Sequence, residues 1–187
     1  MGTYILVFIG CGAALVDREK TLTIVGIAML WGLVLMVVIY TLGHISGAHV
    51  NPAVTIAFAA AQKFPLIQVP MYVLAQLLGA TLACLTLRVL FNDQAVDMRP
   101  TNQGFAGIAI GATVAFNRPI TGASMNPARS IGAAVISGVY KNLWVYVASP
   151  ILGAMAAALA YSLLRQPEIE KSKETSKSLY NDLYDEP

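Results

Sequence analysis

The chain has 187 residues and a formal net charge of +2, with 57% of residues hydrophobic and only 12% charged. A soluble domain carries about 25% charged residues, so this composition excludes an ordinary soluble globule and points to a multi-span helical membrane protein. No basic cluster supports a nucleic-acid role, and the two cysteines, Cys11 and Cys84, lie in apolar stretches that imply buried thiols rather than a disulfide framework.

Residues 1–16 are apolar but lack the basic front of a signal peptide. Sixteen helical residues reach about 24 Å against a hydrocarbon core of about 30 Å, so this stretch is expected to be a first span without its start. A charged turn, Asp17-Arg18-Glu19-Lys20, leads into a second span predicted over residues 22–42. Residues 43–50 are rich in small side chains, and a short helix follows over 51–62, ended by Lys63-Phe64-Pro65. A third span is predicted over 68–91, closed on its apolar run by Arg88. After the polar linker 92–103, residues 104–116 form an apolar segment that Asn117-Arg118-Pro119 breaks. A second short helix is predicted over 126–138 and a last span over 143–164. Residues 165–187 carry four basic and six acidic residues and no long apolar run. This tail is expected to be disordered and outside the membrane. The division expected is a first repeat over 1–91, a shortened second repeat over 92–164, and the tail.

The two short helices begin with one device used twice. Ser46-Gly47-Ala48-His49-Val50 precedes Asn51-Pro52-Ala53, and Thr121-Gly122-Ala123-Ser124-Met125 precedes Asn126-Pro127-Ala128. Asparagine is a favoured helix cap, and proline at the first helical position loses only an N–H that would lack a partner anyway. Two such starts in membrane-like sequence predict two half-helices that begin inside the bilayer, with Pro52, Ala53, Pro127 and Ala128 forming their first turns. Irregular backbone at that depth survives only where protein covers it or a wet cavity accepts it. Residues 43–50 and 120–125 are therefore expected to line a channel and offer carbonyl oxygens to it, with Gly47, Ala48, His49, Gly122 and Ser124 in the lining loops. Each half-helix points its positive end inward. Asn51 and Asn126 would then offer amide N–H groups to a passing oxygen, while a cation would meet two positive ends.

Arg129 follows the second box directly. An arginine at membrane depth is costly unless it faces water or a partner, and its fork of donors suits a solute oxygen. Its other reading is a strut for loop carbonyls. Trp31 lies in the middle of the second span, where packing is the default reading because tryptophan favours membrane interfaces. His44 and His49 lack the further ligands of a zinc site. No catalytic constellation, cofactor motif or acidic residue occurs in the spans, which argues against an enzyme and against a proton-coupled pump. Small residues four apart (Gly79 and Ala83, Gly107 and Gly111, Gly153 and Ala157) predict close helix packing.

Paired Asn-Pro-Ala boxes in an inverted repeat resemble those of the aquaporin, or major intrinsic protein, family. The stretches Gly43-His44-Ile45-Ser46-Gly47-Ala48-His49, Phe64-Pro65-Leu66-Ile67-Gln68-Val69-Pro70 and 122–130 look like its plant nodulin-26-like branch. The resemblance implies an all-α membrane bundle with two inward half-helices. It implies a filter in which Arg129, Ala123 and Trp31 hold three of four positions, moving Trp31 from packing to the pore. It also implies small uncharged solutes (water, glycerol, metalloid acids such as arsenite), no cofactor, a homo- or hetero-tetramer, and a plasma or other cell membrane. The tail would be cytoplasmic, with plain solvated disorder as its default reading and Ser172, Ser176 and Ser178 as candidate phosphorylation sites, since the family's tails often carry phosphoserine.

The sequence departs from the family in lacking the fourth span, so about five spans are expected instead of six, and no residue is assigned to the span-five filter position. An odd number of crossings must separate half-helices that enter from opposite sides, whereas spans three and five make two. Either both boxes enter from one side or the linker recrosses; its twelve residues, fully extended, reach about 40 Å. The leading expectation is a passive channel that excludes protons and ions. The alternative is a truncated, non-conducting subunit that joins complete relatives.

Overall fold

Helices make up the long elements among the described residues. The computed structural model describes residues 1–17, 22–91 and 124–184, with side chains described as far as Leu164. Helix α1 spans Gly2–Val16 and α2 spans Thr23–Ser46. The half-helix α3 spans Pro52–Ala60. A 3-10 turn at Leu66–Gln68 leads into α4, Val69–Leu90. The second half-helix, α5, spans Pro127–Ser137, and α6 spans Leu143–Tyr184. Three stretches are long and apolar enough to cross a bilayer: Val25–Ser46, Leu66–Leu90 and Leu143–Leu164. Helix α1 is apolar but shorter. The linker 92–103 and the expected fifth segment 104–116 lie outside the described residues.

Helix α2 extends four residues past its predicted end, so only Gly47–Val50, not all of 43–50, form irregular chain. The stop comes at Gly47, whose φ of 70° is open to glycine without penalty, and whose N–H reaches the Gly43 carbonyl at 2.8 Å. Ala48 and Val50 follow with φ of 45° and 40°. A β-branched residue there is strained and persists only where its surroundings hold it. Val50 is held: its side chain is buried with Leu6, Val34, Val38 and Ala48, and its carbonyl accepts a hydrogen bond from Asn126.

In lipid, apolar burial does not draw helices together; close packing and polar bonds do. Gly79 lets α4 approach the backbone of α1, where a methyl group would stand 3.2 Å from the Tyr4 nitrogen. Gly132 does the same for α5, where a methyl would stand 2.8 Å from the backbone of Ala80 and Thr81. A buried cluster of Val7, Cys11, Ala80, Ala83, Cys84 and Ala128 fills the space between α1, α4 and the start of α5. The small pair Gly153 and Ala157 behaves differently from the prediction. Nothing described lies within 4 Å of a methyl at Gly153, and Ala157 is exposed. Gly107 and Gly111 lie outside the described residues.

The directions of the half-helices follow from their contacts. Along α4, Gln76 meets Thr55 while the earlier Tyr72 meets Phe64, so α3 runs against α4. Gly132 lies on Ala80 and the later Ile136 meets Arg88, so α5 runs with α4. The half-helices are therefore antiparallel and meet head to head rather than entering from one face. Their packing repeats as well: α3 lies against α6 and α5 against α4.

The last helix does not end with the apolar run. Its backbone continues to Tyr184, where composition led to an expectation of disorder. Half of residues 165–184 are Glu, Lys, Leu, Arg or Gln, all good helix formers, and none is glycine, although Pro167 lies among them.

Candidate functional site: two asparagine caps and a tryptophan–arginine pair

Both asparagines adopt extended backbone and cap their own helices. Asn51 Oδ1 accepts from the Ala53 amide at 2.9 Å. Asn126 Oδ1 accepts from the amides of Ala128 at 3.0 Å and Arg129 at 3.4 Å. Pro52 and Pro127 occupy the first helical positions, and Pro52, Ala53, Pro127 and Ala128 are buried.

The opposite ends of the two amides cross over. Asn51 Nδ2 donates to the Met125 carbonyl at 3.0 Å, and Asn126 Nδ2 donates to the Val50 carbonyl at 2.9 Å. Each asparagine thus binds the carbonyl immediately before the other. An amide nitrogen carries two N–H groups, so each retains one beyond this crossed pair. Two positive helix ends converge at the same point.

A second repeat detail escaped the sequence reading. Thr55 and Ser130 each stand four residues after an asparagine, and both hydroxyls donate back to that asparagine's carbonyl, at 3.1 and 3.2 Å. The hydroxyl at that fixed offset was visible in the chain and could have been read as part of the box. Gln76 was missed too, although a lone glutamine in an apolar span was signal enough. It is 4% exposed, and its Nε2 donates to Thr55 Oγ1 at 2.9 Å.

Arg129 lies with its guanidinium carbon 4.6 Å from the Trp31 ring centre. The tryptophan is backed by Gly10, where an added methyl would overlap the ring. Beyond Arg129, a cleft of about 220 Å³ runs along α5, lined by Ser124, Arg129, Ser130, Ser137, Lys141 and Tyr146 among others. Ser124, expected in the lining loop, is buried and hydrogen-bonds Ser130. Gly122 and Ala123 lie outside the described residues.

His49 is brought elsewhere by its side chain. Its ring stacks on Phe58 at 5.0 Å and contacts Phe64 at 4.8 Å and Tyr72 at 5.6 Å. Ala48 is buried in the apolar cluster, so the side chains of both residues are used for packing. Gly47 is exposed at the turn. What this loop can offer a passage is backbone. Among the described residues no group of three metal-ligating side chains occurs.

Head-to-head half-helices capped by paired asparagines define a membrane channel of the kind built from an inverted repeat. The chain matches the family described as Major intrinsic protein over residues 1–106 and 96–161. It is 45% identical to Nodulin-26 of Glycine max, covering 95% of this chain and 80% of that protein. It is 44% identical to Aquaporin NIP1-1 of Zea mays, covering 94% of this chain and 77% of the relative. The X-ray structure of the aquaglyceroporin from Plasmodium falciparum shares the fold, with a TM-score of 0.71 at 22% identity over 91% of this chain and 95% of that one. The chain belongs to the major intrinsic protein family and is a multi-pass membrane protein of a channel class, not an enzyme. The alignment with Nodulin-26 runs over 218 residues, more than the 187 here, so the relative has residues inside the matched region that this chain lacks. The bundle is accordingly an incomplete inverted repeat.

Proposed function

We propose that this chain forms a passive pore for small uncharged solutes, water and glycerol with metalloid acids such as arsenite, and that it excludes protons and ions. The observation that carries the proposal is the crossed asparagine pair. It holds one N–H of each amide and two positive helix ends at one point, favouring a neutral oxygen-bearing solute over a cation. Arg129 and Trp31 act in this reading as donor and apolar wall of the filter, with Ala123 as its small member. The names of two similar proteins, an aquaporin and an aquaglyceroporin, support water and glycerol as the solutes to try first.

Stopped-flow swelling of vesicles containing the folded chain tests the proposal. Water and glycerol permeability above that of empty vesicles is the expected result, with proton flux unchanged. Permeability equal to empty vesicles would overturn it.

A second reading is favoured by the missing internal residues. In it the chain is a non-conducting subunit that joins complete relatives in a tetramer at the plasma membrane, with its tail in the cytoplasm. Co-expression with a complete relative should then change that relative's surface level; an unchanged level removes this reading.

A further inference from the structure

We propose that α4 is the beam that sets the depth of both half-helices, with Gln76 and Arg88 as its positioning residues. The functional consequence rests on the channel reading above; the positioning itself does not.

At one level, Gln76 Nε2 donates to Thr55 Oγ1 at 2.9 Å, and the Thr55 hydroxyl donates to the Asn51 carbonyl at 3.1 Å. Two bonds in series therefore connect α4 to the residue that caps α3. Thr55 is fully buried, and Gln76 Oε1 is buried with no partner among the described residues. A buried acceptor without a partner is destabilising. A leucine of similar volume would escape that penalty, so what the amide contributes lies in its bond to Thr55.

At the other level, Arg88 Nη1 donates to the Ile136 carbonyl at 2.8 Å. Ile136 is in the last turn of α5, where carbonyls lack intrahelical partners and the helix presents its negative end. The guanidinium supplies both a donor and a positive charge there. Gln76 and Arg88 are about 18 Å apart along α4, and Asn126 and Ile136 about 15 Å apart along α5, at 1.5 Å per residue. One helix thus reaches the cap of α3 near the crossed asparagines and the far end of α5. Gly132 on Ala80 seats the middle of α5 between them. Gln76 acts on Asn51 through Thr55, and Arg88 acts through the far end of α5.

Hydrogen exchange and swelling, measured on the full chain in vesicles, test this. Gln76→Leu and Thr55→Val should each speed exchange in α3 by about fivefold, the shift that one lost hydrogen bond produces, and leave α5 unchanged. Arg88→Gln should do the reverse, and Arg88→Lys, which keeps the charge, should restore most of the α5 protection. Water permeability should fall in the first three variants and recover in Arg88→Lys. Wild-type protection in both half-helices, or faster exchange throughout the bundle, would overturn the proposal. If the wild type does not conduct while the two local exchange patterns appear, the channel reading fails and the positioning stands.

Discussion

The guanidinium of Arg129 lies face-on to the ring of Trp31, 4.6 Å from its centre. One residue comes from the first turn of α5 and the other from the middle of α2. A cation over an indole face is worth about 0.5–2 kcal/mol, more as water is excluded. The contact also fixes where the arginine's donors point. Trp31→Ala should therefore release Arg129 and remove the apolar wall together. Uptake of a four-carbon polyol should rise relative to glycerol in swelling assays. An unchanged ratio of the two solutes would count against a filter role for Trp31.

Gly10 is the seat of that ring. Gly10→Ala places a methyl where the indole now lies, and overpacking of this kind costs about 1–3 kcal/mol. The ring should shift, seen as a change in Trp31 emission in a Trp144→Phe background. The melting temperature in detergent should fall. Wild-type emission and melting together would show that the seat is looser than the structure indicates.

The asparagine amides can be separated from their capping oxygens. Asn51→Asp and Asn126→Asp keep an acceptor for the cap but lose the N–H that crosses to Met125 and to Val50 respectively, and add negative charge where the helix ends meet. Cation exclusion should weaken in each, and proton flux into vesicles should rise severalfold. Because the two bonds are reciprocal, the double variant should differ from the sum of the singles by about 0.5–3 kcal/mol in stability, the range for residues in one network. Strict additivity would mean that the two crossed bonds form independently.

Gly132 tests the packing of α5 on α4. A methyl there meets backbone atoms of Ala80 and Thr81 at 2.8 Å, and backbone cannot swing aside as a side chain can. Gly132→Ala should destabilise the protein by at least about 1–3 kcal/mol and lower solute permeability. Gly153→Ala, with open space around it among the described residues, serves as the control and should leave both unchanged.

Much of the site was legible because its parts are local. A cap, a proline and the first turn lie within four residues, so Asn51-Pro52-Ala53 and Asn126-Pro127-Ala128 could be read as helix starts without any tertiary knowledge. Arg129 stood out because a charge at membrane depth needs a reason. Gln76 and Thr55 each carried a local signal, a polar group in an apolar helix, but the bond between them joins separate helices and could not be read from the chain. The loop holding His49 was legible as a lining segment, but not that the rings of Phe58, Phe64 and Tyr72 take up its side chain. The exposed glycine and alanine of α6 show the same limit: spacing marks a face as able to pack closely, but a partner must be present.

By itself the chain determined that it lives in a membrane, where its helices begin, and that two of them begin alike. Those are consequences of composition and of hydrogen bonds made within one turn. Only the tertiary structure decided that the two beginnings face each other, that each amide reaches the other's loop, and that Trp31 and Arg129 touch. These contacts join residues scores of positions apart, and their geometry depends on how closely glycines allow α1, α4 and α5 to approach.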